Sequence, residues 1–264
     1  NNFDYVATYI DIDNFIKYQV AQIFFDNTDW PGNNIKFWNS PETKWRWILY
    51  DTDFGWGRYN ESAYLNNTLA FALSDSGPSH PNPPWSTLLL RELIDNDEFR
   101  NKLLNQFADD FNGRFSPTNT INAIASYVID IESEMHKHFD RWGEENPPHT
   151  PWINRVSVIE TFAENRIPAL RNHILHYFNL SGIFDLNIEV NEENRGRISV
   201  NSLLLPQEQW KGSYFDGVPV TVTAMPNDGY RFSHWEGDIE AETSEILVSS
   251  TDNINVIAIF LHLD

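Results

Sequence analysis

Hydrophobic positions recur along this chain with two different periods, and the period changes once, near residue 182. Before that point they repeat every three or four residues. Ile12, Ile16, Val20 and Phe24 mark one helical face, with Phe15 and Ile23 beside them. Asp11 and Asp13 stand at the start of that helix, where carboxylates suit its positive end. Pro31 and Gly32 stop it. Residues 35–38 and 45–50 are short aromatic and β-branched runs around a polar stretch, 39–44, which predicts a hairpin. Residues 74–84 hold Pro78, Pro81, Pro83 and Pro84 and read as a loop. Helical patterns follow over 85–111 (broken near Asn96), 117–142 and 151–178. Pro117 and Pro151 suit first-turn positions, and Pro168 predicts a kink or a split.

After Ser181 and Gly182 the pattern alternates. Residues 218–223, 245–248 and 254–259 switch between apolar and polar, with turn signals at 194–196 and 227–229. The expected fold class is therefore α+β: a mainly helical domain with a short β-hairpin over 1–181, then a small all-β domain over 183–264.

Composition narrows the partners. The 264 residues include 38 acidic and 18 basic ones, a net charge of −20. Nucleic acid and anionic membrane surfaces would be repelled. Charge does not mark the domain boundary: 14 acidic and 4 basic residues follow residue 182, and 24 and 14 precede it. Ten Trp and a hydrophobic fraction of 41% promise a real core. Most Trp are expected inside, with Trp30 and Trp56, in loops, as candidates to line a groove. The absence of Cys excludes disulfides, thiol nucleophiles and thiolate zinc sites. The longest apolar run, 256–261, is far too short to cross a bilayer. The chain has neither an initiator Met nor a basic, apolar leader, so a piece of a longer or processed protein is expected.

The stretch from Asp29 to Gly57 carries the chemistry. An Asp with an Asn five positions later, on a tight loop after a helix, has a mechanical reading: Asp29 accepts the proton of an attacking hydroxyl, and the Asn34 carbonyl oxygen binds magnesium. A carboxylate just past the next strand, Asp51 or Asp53, can hold that ion against nucleotide phosphates. The two alternate along an extended segment. Emergence straight from the strand favours Asp51, and the run Asp53, Phe54, Gly55 favours Asp53.

These residues resemble the spore coat protein H (CotH) kinase family, atypical bacterial protein kinases. The resemblance rests on residues 11–16, 27–30, Asn33, Asn34, 45–53 and Gly57. It continues through 67–69, 89–91, Glu134, His138, Arg141, Trp142 and Arg166. It implies transfer of phosphate from Mg2+ and ATP to Ser or Thr of secreted or surface proteins. It also implies Asp29 as catalytic base or substrate orienter, with Asn34 and Asp51 or Asp53 as metal and cofactor ligands. Asn27 takes the place that His fills in ordinary kinases. A kinase also needs a phosphate-covering loop and a Lys with its acidic partner. Residues 1–28 hold one Lys, Lys17, and no Gly. The nucleotide-binding lobe is thus expected to be absent from this chain, and the chain to be inactive alone. Residues 217–260 resemble the small β repeat of internalin-type bacterial surface proteins, which implies an extracellular spacer or adhesion module. Together the two resemblances imply a secreted or cell-surface bacterial protein, as a spore coat protein would be.

The same residues have plainer readings. Asp29 and Asn34 are also turn formers, and Asp51 and Asp53 could bind Ca2+ or cap a solvated strand end. On that view the chain is a non-catalytic surface or coat module with a relict acidic site. Paired carboxylates beside Trp also admit a carbohydrate-active enzyme. Glu134, Arg141 and Arg166 are expected as buried ion-pair or helix-bonding residues. Residues 74–84 follow the metal motif, where a substrate-contacting role is expected.

Overall fold

A computed structural model describes residues 2–142, 149–205 and 209–263. The fold is α+β, with helices followed by an all-β region. The chain divides into two compact units: Asn1–Phe99 with Arg114–Ile174, and Arg100–Gly113 with Leu175–Asp264.

The first unit opens with α1 (Asn2–Tyr9) and α2 (Ile12–Phe25). Asp11 caps α2, its carboxylate accepting from the Asn14 N–H at 3.0 Å. Phe15, Val20, Ile23 and Phe24 are buried on this helix. Phe24 stacks on Phe115 with centroids 4.3 Å apart and meets Phe162 edge-on. The predicted hairpin forms as β1 (Lys36–Trp38) and β2 (Arg46–Ile48), antiparallel, with Lys36 opposite Ile48. The Asn14 side chain ties it to α2, donating to the Trp47 carbonyl and accepting from the Trp47 N–H. The short α3 (Thr68–Ala72) and α4 (Leu88–Leu93) follow, then the start of α5 (Asp97–Asn112). The long α6 (Pro117–Trp142) and α7 (His149–Tyr177) complete the unit, apart from the last residues of α7.

Three expectations need correcting. Pro168 does not split α7, which runs unbroken past it. The residue lies on the exposed side, where its missing N–H leaves the outer carbonyl to water. Glu134 and Arg141 are exposed on α6, and Glu134 pairs with Lys137 one turn on. Of the ten Trp, only Trp30 and Trp235 are fully buried; Trp38, Trp45, Trp85 and Trp142 are largely exposed. Burial also removes Trp30 as a groove-lining residue.

The second unit contains the body of α5 and, among the described residues, eight strands of two to nine residues paired into two sheets. The strands are β3 (Ile183–Val190), β4 (Gly196–Val200), β5 (Leu203–Leu204), β6 (Gln209–Phe215), β7 (Val220–Pro226), β8 (Tyr230–Gly237), β9 (Glu245–Val248) and β10 (Ile254–His262). One sheet has the order β6-β3-β10-β8, with β3 and β10 parallel; the other has β5-β4-β7-β9. Alternation buries Phe184, Leu186 and Ile188 on β3, Val256, Ala258 and Phe260 on β10, and Val220, Val222 and Ala224 on β7. The sheets touch where Gly196 on β4 meets Phe260 on β10: a Cβ there would lie 2.3 Å from the ring. Only glycine lets the ring close this end of the core.

Asp109 of α5 joins the helix to the strands of this unit. It accepts from the Tyr214 hydroxyl at 3.1 Å, the Ser202 hydroxyl at 2.7 Å, the Ser202 N–H and the Asn201 amide. Burial pushes its carboxyl above the usual range, although each of these donors pulls the other way.

Candidate functional site

The site is built around the C-terminal end of α2. A helix end leaves its last carbonyls without partners. Here they find donors in the turn that follows and in two distant parts of the first unit. The Asn27 N–H bonds the Gln22 carbonyl. Arg166, fully buried, donates to the carbonyls of Ile23 at 2.8 Å and Phe24 at 2.9 Å. The Trp56 N–H takes the Phe25 carbonyl at 2.9 Å. Arg166 also donates to the carbonyls of Tyr64 and Asn66 and to the Thr68 hydroxyl. Thr68 and Asn66 in turn donate to the two carboxylate oxygens of Asp26. Asp26 is left-handed, with φ 54°, and turns the chain out of the helix. Arg166 thus does what the helix-bonding expectation asked of it.

The loop that follows carries Asp29. Asn27 is buried, donates to the Gln22 side chain at 2.8 Å and accepts from the Asp29 N–H at 3.1 Å. That side-chain turn fixes the Asp29 backbone. The Asp29 carboxylate accepts from the Asn34 amide at 2.7 Å and the Asn33 amide at 2.9 Å. Asn34 has φ 53°. Its Nδ2 is committed to Asp29, which leaves its Oδ1 as the atom that could hold a metal.

The second loop lies beside the first. Thr28 donates from its hydroxyl to the Phe54 carbonyl at 3.0 Å. Gly55 is needed at that junction, since a Cβ would lie 2.5 Å from the Phe25 carbonyl oxygen. Asp51, with φ 51°, is exposed. A hydrogen bond shared with Asp53 raises its carboxyl above the usual aspartate range, and the charges of Asp53 and Asp29 push the same way. Lys36 on β1 opposes them. Its ammonium sits 4.2 Å from the centre of the Tyr50 ring. Asp53 is paired with Arg58.

Asp29 and Asn34 are therefore directly bonded. Asp51 lies within electrostatic reach of Asp29, and Asp53 is turned toward Arg58. Among the described residues no three His, Asp or Glu side chains stand close enough to hold a metal by themselves. Lys36 and Arg58 balance the aspartates and were not singled out in the sequence. Alternation along β1 could have pointed to Lys36, whereas nothing in the local pattern marks Arg58.

Comparison with known proteins gives two family matches. Residues 186–262 match the Divergent InlB B-repeat domain. Residues 1–170 match the CotH kinase protein model. No curated protein matches the chain. No solved structure matches it either. The family model covers the helical region and both loops of the site, and the chain belongs to the CotH kinase protein family.

Proposed function

We propose that this chain is the acceptor-side part of a CotH-type protein kinase that transfers phosphate from Mg-ATP to Ser or Thr of proteins. One observation carries the reading: Asp29, Asn34 and Asp51 sit on two loops fastened to the same helix end, and the acids among them repel each other. Carboxylates crowded close enough to repel each other suit a divalent cation. Asn34 through Oδ1 and Asp51 through its carboxylate would hold it. Support for Asp51 over Asp53 comes from the pairing of Asp53 with Arg58. Two protein oxygens with water and phosphate fit magnesium better than calcium, which takes six to eight oxygen ligands.

Bound Mg-ATP supplies the phosphoryl group and neutralises the charge on its oxygens. The protein supplies position. Asp29 orients the acceptor hydroxyl and takes its proton on a lone pair that Asn33 and Asn34 leave open. The two amides keep its carboxylate from rotating. A secreted or surface location is part of the proposal, supported by the B-repeat match. In a protein that includes the nucleotide-binding part, Asp29→Ala should abolish phosphate incorporation into acceptor protein. Incorporation at the wild-type rate would refute the role.

A second reading has its own support. The B-repeat match and the lack of a three-acid metal group among the described residues favour a non-catalytic surface module. Calorimetry separates the two: the complete protein should bind Mg-ATP, and Asp51→Asn should weaken that binding, whereas the surface module binds none.

A further inference from the structure

Next to the Asp29 loop lies a cavity of ≈ 350 Å³ lined by Asn27, Thr28, Asn66, Asn67, Phe71 and Asn82, among others. Phe71 and Asn82 also line a neighbouring cavity of ≈ 640 Å³ formed by the loop 74–84. We infer that this groove binds an extended, uncharged stretch of the acceptor polypeptide and presents its Ser or Thr to Asp29.

The lining chemistry carries the inference. Asp26 is the one carboxylate in it, and both its oxygens are taken by Thr68 and Asn66. Neither cavity lining contains a Lys or Arg. A phosphate or an acidic segment would find no counter-charge there, and burying an unpaired charge is costly. What the groove offers instead is amides. The Asn67 Oδ1 is used by the Ala70 N–H and the Asn82 Oδ1 by the Gly32 N–H at 2.8 Å. The Nδ2 groups of both remain without a protein acceptor among the described residues, and the Asn66 Oδ1 remains an acceptor. Two donors and an acceptor are the kinds of group that a peptide backbone, with one N–H and one C=O per residue, can bond. Phe71, Pro81 and Pro83 add apolar faces.

The walls are preformed, which lowers the cost of ordering a bound segment. The Asn82 bond ties the loop 74–84 to the Asp29 loop. Arg91 braces it from behind, donating to the carbonyls of Asp75 at 3.1 Å and Pro84 at 3.0 Å. Thr28, which lines the groove, directly precedes Asp29.

The inference rests on the phosphotransfer reading for the fate of the hydroxyl, though not for binding. The test is NMR titration of the 264-residue chain with a blocked nonapeptide, acetyl-(Gly-Ser)4-Gly-amide. The side-chain amide signals of Asn67 and Asn82 should shift, and Phe71→Ala should weaken binding about three- to ten-fold. His80→Ala, at an exposed position, gives a second variant if Phe71→Ala fails to fold; its loss should be about two-fold or more. Unmoved amide signals at millimolar peptide would overturn the inference, as would shifts produced by a gluco-oligosaccharide and not by the peptide. In the complete protein, an Asp29-dependent transfer whose peptide KM ignores Phe71→Ala and His80→Ala would sink the groove and spare the kinase reading. Peptide binding without any transfer would do the reverse.

Discussion

Each unit of this protein holds a buried charged side chain that gathers hydrogen bonds from several elements, Arg166 in one and Asp109 in the other, and the two are used differently. Arg166 in the helical unit gives all its donors away, four of them to backbone carbonyls at two chain turns. Asp109 in the β unit only accepts, from Ser202, Asn201 and Tyr214. Burial lowers the Arg166 guanidinium to about 10, so it remains charged near neutrality. Burial raises the Asp109 carboxyl, toward its neutral form. A charge that stays on at neutral pH can fix the backbone on which reactive groups stand. Asp109, accepting from Ser202, Asn201 and Tyr214, pegs α5 to the strands around it. The comparison teaches that the helical unit uses its buried cation to hold the backbone behind its polar loops, while the β unit uses its buried acid to join a helix to strands.

The largest way to break the comparison is Arg166→Ala. It leaves four carbonyls short of donors and Asp26 without its nearby cation. It should destabilise the helical unit by about 3–5 kcal/mol. Arg166→Lys restores the charge with fewer donors in a different geometry and should recover only part of that. Denaturant unfolding followed by Trp fluorescence checks both, and a loss below about 1 kcal/mol would remove Arg166 from its place in the argument.

Asp109→Ala should cost the β unit less, about 1–3 kcal/mol, because it strands the buried Tyr214 hydroxyl while Ser202 and Asn201 can turn to water. The same unfolding experiment, read by the near-ultraviolet signal of the β unit, measures it. A smaller effect separates the two charges by pH. Asp109 titrates higher folded than unfolded, so its contribution is full below the unfolded value of 3.8 and is lost as pH rises through the raised folded value. Arg166 should add no slope below about pH 10. Asp109→Asn should flatten the acid-side slope, and an unchanged slope would assign it to other carboxylates.

The smallest effect lies at the surface. Arg58→Ala breaks an exposed pair with Asp53 and should change stability by less than about 1 kcal/mol. Its informative readout is metal binding: freeing Asp53 beside Asp51 should tighten Mg2+ binding to the complete protein. Weaker binding would argue against Asp51 and Asp53 sharing one site.

Much of the architecture was legible in residue order because it depends on local periods. Helix α6 spans the residues its pattern predicts, and the break at 94–96 between α4 and α5 falls where Asn96 signals it. The alternating runs at 245–248 and 254–259 lie in β9 and β10. Pro168 misled because the penalty for proline depends on which side of a helix faces water. Trp30 misled because its loop position says nothing of the helices that cover it. At the candidate site, the order Asp29, Asn34, Asp51, Asp53 was legible as a motif, and so was the polar loop 74–84.

Sequence by itself determined the two periods, the turn residues and the presence of acids and amides at the ends of α2 and β2, because each depends on neighbours a few positions away. Only the tertiary structure decided that Asn34 bonds Asp29, that Arg58 takes Asp53, and that Arg166 closes a helix more than 140 positions earlier. Those choices turn on distance through space, and on which buried polar groups are left needing a partner once the helices have packed.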